Sequence, residues 1–133
     1  MTREQWLVSR ETIHDRFYEV LVGAVGCGPF DGGCVVVAQA LQRVLGGEIR
    51  VLVRADDRAD HAVLELDGRL WDFDGPDAPA VMVRRFNEAE RAHCTGYRPI
   101  RPGDLVDAIR DVDLEEVLAA QFREILASAA LAP

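Results

Sequence analysis

The sequence predicts an α+β domain: N-terminal helices packed on a small antiparallel sheet, followed by C-terminal helices. Three observations lead there. The 133 residues fit one domain with one core, assigned here to the whole of 1–133. Helical spacing at both ends encloses a middle stretch of short alternating runs, and helices gathered apart from strands go with an antiparallel sheet. Finally, Asp67-Gly68 joins two such runs, a strong signal for a tight β-hairpin.

The elements follow in order. Between Glu4 and Val22 the apolar residues Trp6, Leu7, Ile13, Phe17, Val20 and Leu21 recur at helical spacing. A glycine-rich loop, Gly23 to Gly33, comes next and contains Cys27, Pro29 and Asp31. Cys34 then opens CVVVAQALQRVL, where Val35, Ala38, Leu41 and Leu45 share a helical face; Asp31 is a candidate cap and Gly46-Gly47 a stop. The β-branched run Val35–Val37 also suits a strand, but the unbroken Ala-Gln-Ala-Leu-Gln-Arg decides for helix. Glu48 to Ala55 alternates as a strand. HAVLEL (61–66) and RLWDFD (69–74) form the hairpin, and Pro76 and Pro79 are expected to end the sheet. Val81 to His93 reads as a helix with Arg84-Arg85 on its solvated face. TGYRPIRP is a short extended piece, and Leu114 to Ala129 a last helix.

Composition narrows the function classes. The hydrophobic fraction of 49% and charged fraction of 29% are ordinary for a globular chain. A formal charge of −8 gives no attraction for phosphate backbones or anionic lipid, so neither nucleic acid nor membrane is expected as a partner. All 15 basic residues are arginine, which excludes a Schiff-base lysine, a P-loop lysine and a Ser-Lys dyad. No apolar run approaches the roughly 20 residues that span a bilayer, and the amino terminus lacks an apolar signal region. A cytoplasmic location is the expectation, with export as an effector left open. Three cysteines cannot build a full disulfide framework. Cys27, His93 and Cys94 lack the spacing of zinc ligands, so neither a metal nor a cofactor is expected.

The chemistry concentrates on one set of residues. Cys34 follows Gly32-Gly33 at a helix start, where amide N–H groups and the helix dipole favour thiolate over thiol. Gly33 and Asp31 are candidates for the substrate and oxyanion side of the site, since glycine permits close approach of a substrate and first-turn amides stabilise an oxyanion. His61 begins a strand, and Asp72 and Asp74 lie on the next. A two-residue turn at Asp67-Gly68 pairs Leu66 with Arg69, Val63 with Asp72 and His61 with Asp74. Both aspartates then share His61's face, Asp74 across from it and Asp72 diagonal. Either can orient the imidazole, with a slight preference for Asp72.

The stretches FDGGCVVVAQALQRVLGGE and DHAVLELDGRLWDFDGP resemble the core of papain-like, transglutaminase-like cysteine enzymes, including arylamine N-acetyltransferases and the peptidases that mature bacterial peptides. In that superfamily a Cys heads a helix, a His heads a strand and an acidic residue lies on the next strand. The resemblance implies Cys34 as nucleophile, His61 as base and Asp72 or Asp74 as third member. The acidic residue before a turn corresponds to Asp74, yet the W-D-x-D-G spacing equally admits Asp72. Two departures stand out. Val63 occupies the place where transglutaminases carry an aromatic residue, and no oxyanion residue precedes the Cys. The resemblance further implies acyl transfer from an amide or thioester, by a peptidase, glutamine deamidase or transglutaminase/acyltransferase. A protein or peptide, or a small acyl donor, would be the partner. The alternative is a non-catalytic protein-binding module of the same fold, of immunity or adaptor type, whose acidic surface would suit a basic partner.

Overall fold

A computed structural model describes the chain except residues 1–2, 27, 29–31 and 132–133, and of residues 3–9 and 129–131 it describes the backbone alone. Among the described residues, four helices and five strands follow in the order α1 (Arg3–Val25), α2 (Cys34–Leu45), β1 (Glu48–Arg54), β2 (Ala59–Leu66), β3 (Arg69–Asp72), β4 (Gly75–Asp77), α3 (Pro79–Glu90), β5 (Cys94–Pro99) and α4 (Val112–Leu131). The strands form one antiparallel sheet in the order β4-β3-β2-β1-β5. The α+β architecture expected from the sequence is present. No helix among the described residues is long and apolar enough to cross a membrane.

The sheet lies between two helical layers. One face presents Ala62, Leu64 and Trp71 to α2; α4 packs on α2 from behind, and α1 packs on α4 and β4. Helix α2 is therefore buried nearly all round. Val36, Val37, Ala40 and Leu41 share one core cluster with Ile13, Phe17 and Leu21 of α1 and Leu118 and Phe122 of α4, while Val35 and Ala38 cluster with Ala62. The opposite sheet face presents Leu52, Val63 and Leu70 to Met82 and Phe86 of α3. Residues 82 and 86 are one helical turn apart, which aims both at the sheet.

The hairpin signal reads true. Leu66 pairs with Arg69 and Leu64 with Trp71, and Asp67 and Gly68 both take positive φ, 54° and 74°, as a type I′ turn requires. Past Asp72 the expectation needs correction. The chain turns again at Phe73-Asp74, and Gly75–Asp77 returns beside β3 with Asp72 opposite Gly75. Pro76 thus sits inside a strand rather than ending the sheet. That strand is outermost, where a residue with no N–H to donate is tolerated. The extended piece near residue 95 is likewise a full strand, β5, paired with β1 across α3's connection.

Candidate active site

Cys34 is the first residue of α2, after the N-cap Gly33. His61 is in β2, opposite Leu52 of β1. Strand β3 pairs with β2 only at Leu64–Leu66, so the His61–Val63 stretch has no strand neighbour on that side. The amino end of α2 enters there. The Cys34 sulfur accepts the backbone N–H of Ala62 and that of Val35, and it hydrogen bonds the imidazole of His61.

Asp72 ends β3 and completes the set. His61 Nε2 lies 3.4 Å from Asp72 Oδ2, a long hydrogen bond. With Nε2 turned to Asp72, Nδ1 is the ring nitrogen left for the thiol. Asp72 Oδ1 accepts two bonds, from the Asp74 N–H at 2.9 Å and from Arg85 Nη2 at 3.0 Å. The imidazole lies flat on Phe86, with ring centres 4.6 Å apart and planes 15° from parallel. Cys34, His61 and Asp72 are 7%, 2% and 3% exposed, so their interactions operate in a medium of low dielectric.

Burial pushes the Cys34 thiol up, but the hydrogen bond and charge of His61, aided by the Ala62 and Val35 amides, outweigh it. The thiol is held below its ordinary value. Burial pushes the His61 imidazole down; its bonds to Asp72 and Cys34 win and raise it to about 9. Asp72 is pushed up by burial, then held below the usual carboxylate range by the His61 bond and the Arg85 charge. The directions agree with one another: thiolate and imidazolium stabilise each other, and the carboxylate stabilises the imidazolium.

The other expected residues fall elsewhere. Asp74 does not face His61, because the Phe73-Asp74 turn carries it aside. Its carboxylate meets Arg85 at 3.4 Å and Arg10 at 3.7 Å. Gly33 gives its N–H to the Gly28 carbonyl at 3.2 Å, so that amide is not an oxyanion donor. A Cβ at Gly33 would stand 2.8 Å from the same carbonyl and 3.1 Å from Leu21, so packing rather than substrate approach requires the glycine. Asp31 and Cys27 lie outside the described residues. Cys94 is buried, and its thiol donates to Asp60 Oδ2 at 3.6 Å. Among the described residues no group of three or more His, Cys, Asp or Glu is placed to hold a metal ion.

An open cleft of about 600 Å³ leads to Cys34. Gly32, Ala59, Asp60, Leu105 and Ala108 are among its walls. Arg98 clamps the two sides, bonding Asp57 on one and Asp104 on the other at 2.7–3.0 Å. The sequence reading missed Arg85, Phe86 and the Ala62 amide. Arg85 is half-buried against three carboxylates instead of solvated. The one signal that could find it is the four-residue spacing of Met82 and Phe86, which sets α3's buried face with Arg85 at its border; the partners come from other elements. No family model matches the chain, and no curated protein or solved structure matches it either.

Proposed function

We propose that this protein is a cysteine-dependent acyl-transfer enzyme with a papain-like or transglutaminase-like arrangement, acting on an amide or a thioester. One observation carries the reading. A thiol held low and an imidazole held high are in contact at a helix amino end, with a buried carboxylate behind the imidazole. Cys34 lines the cleft, and a perturbed group in a cleft with a specific charge partner is a functional-site candidate.

In the mechanism, the Cys34 thiolate attacks the carbonyl carbon and the carbonyl π electrons move to oxygen. With the Gly33 amide on the Gly28 carbonyl and the Val35 amide on the sulfur, helix geometry leaves the Cys34 and Val36 amides of α2 without intrahelical acceptors, and their dipoles favour the negative oxygen. The tetrahedral species collapses, the bond to the amine or thiol breaks, and the leaving group takes the proton of the His61 imidazolium. A thioester on Cys34 remains. Water or an amine then gives a proton to His61 and attacks that thioester, and Cys34 departs as thiolate. Water as acceptor makes the enzyme a peptidase or deamidase; an amine makes it a transferase. Asp72 holds the ring orientation throughout.

The test is iodoacetamide alkylation of Cys34 against pH, located by peptide mapping and repeated on His61→Ala. Fast labelling at pH 6 that collapses in the variant is the expected result. Labelling that follows an ordinary thiol near pH 8.5 in both proteins would sink the reading. It would leave the protein a binding module.

A further inference from the structure

We propose that Arg85 is a positioning residue of this site: its guanidinium ties Asp72 to Asp74 and Asp77, turns Oδ2 of Asp72 to His61, and limits how tightly the imidazolium holds its proton. The inference rests on the cysteine-enzyme reading above. Three nitrogens of one side chain reach three carboxylates. Nη2 bonds Asp72 Oδ1 at 3.0 Å, Nη1 bonds Asp74 Oδ2 at 3.4 Å and Nε bonds Asp77 Oδ2 at 3.0 Å. Only a planar fork makes such a pattern. The residues come from α3, the end of β3, the following turn and β4, so Arg85 locks the second hairpin onto the helix that supplies Phe86.

The arrangement divides the two oxygens of Asp72. Oδ1 is taken by Arg85 and the Asp74 N–H, which turns Oδ2 to His61. Asp72 alone would make His61 a poor acid, since a buried carboxylate beside an imidazolium raises its affinity for the proton. A general acid must release that proton to the leaving group near neutral pH. Arg85 takes up part of the carboxylate's charge and thereby keeps the proton transferable.

His61 faces Cys34 from α2 and Asp72 from β3, and Phe86 of α3 covers its ring. Beside it on β1 stands Leu52, and the neighbouring Asp60 is engaged by Arg54 at 2.6 Å. Asp72 faces His61 and Arg85. The other groups on Arg85 are Asp74 and Asp77, and Arg10 of α1 reaches Asp74 at 3.7 Å.

The experiment follows the His61 imidazole resonances of the whole chain by NMR against pH. It uses the unaltered protein, Arg85→Gln, Arg85→Lys and Cys34→Ala, with thermal midpoints measured alongside. In Arg85→Gln, Asp72 keeps its place in β3 and its Asp74 bond, so its charge acts on His61 undiluted. The His61 inflection is expected to rise by roughly half a unit or more. Arg85→Lys, which keeps the charge but loses the fork, returns the inflection toward its original position. A purely structural Arg85 would lower the thermal midpoint in both variants and leave the inflection in place. An inflection that stays or falls in Arg85→Gln overturns the proposal. Failure of the enzyme reading is separate: Cys34→Ala would then leave the His61 inflection unmoved, whatever Arg85 does.

Discussion

The Phe86 ring covers the His61 imidazole at 4.6 Å and 15° from parallel, so the cation of the proposed pair rests on an aromatic face. Such a face attracts a desolvated cation by up to about 2 kcal/mol. Phe86→Leu keeps an apolar side chain over the ring and removes that attraction. The His61 inflection should fall from about 9 by roughly one unit. An unchanged inflection, read by imidazole NMR, would reduce Phe86 to a packing residue.

Asp72→Asn is expected to cost about 3–5 kcal/mol near pH 6, because it leaves Arg85 and His61 without their buried counter-charge. The pH dependence has a defined sign. Asp72 is depressed below its ordinary 3.8, so its contribution is complete above that pH and is lost as pH falls through the folded value. His61 is raised from 6.5 to about 9, so its share is whole below 6.5 and is lost as pH rises toward 9. The stability gap between the two proteins should therefore be widest between pH 3.8 and 6.5. Urea denaturation at pH 3, 5.5 and 9 checks this; a gap that grows toward pH 9 would contradict it.

Cys94 offers an internal control for Cys34. The two are equally hidden, 5% and 7% exposed, but their surroundings have opposite sign. Burial first, then the charge and hydrogen bond of Asp60, push Cys94 up to about 12. At pH 8 its thiolate fraction is on the order of one in ten thousand. Iodoacetamide should label Cys34 and leave Cys94 untouched over the same interval. Asp60→Asn removes the unfavourable charge and should speed labelling of Cys94 several-fold. Equal labelling of both thiols in the unaltered protein would show that access, not charge, governs reactivity.

What the sequence revealed depended on whether the interaction was local. Two glycines before a helical run marked Cys34 as a helix start, and Asp67-Gly68 set a register that brought Asp72 near His61. Extending that register to Asp74 failed because Phe73-Asp74 makes a second turn, with Gly75 at φ 105°. Pro76 concealed an edge strand because prolines usually end strands. Arg85 looked solvated because its three carboxylates lie 8 to 13 residues away in the chain and converge only in the folded hairpin. The Ala62 N–H that meets the sulfur carries no side-chain signature; only the short pairing of β3 exposes it.

Gly33→Ala tests whether the base of α2 positions the nucleophile. Gly33 has φ −88°, which any residue adopts, so backbone strain plays no part. The obstacle is contact: a Cβ would stand 2.8 Å from the Gly28 carbonyl oxygen and 3.1 Å from a Leu21 methyl. The oxygen belongs to the backbone and accepts the Gly33 N–H, so it cannot withdraw without breaking that bond. Relief requires the amino end of α2 to shift, and Cys34 shifts with it. The expected cost is about 1–3 kcal/mol of stability. Alkylation of Cys34 at pH 6 should fall as the sulfur leaves His61 and the Ala62 amide, while labelling at pH 9 changes little. A variant that loses stability yet keeps its full rate at pH 6 would show that the thiolate does not depend on this anchoring.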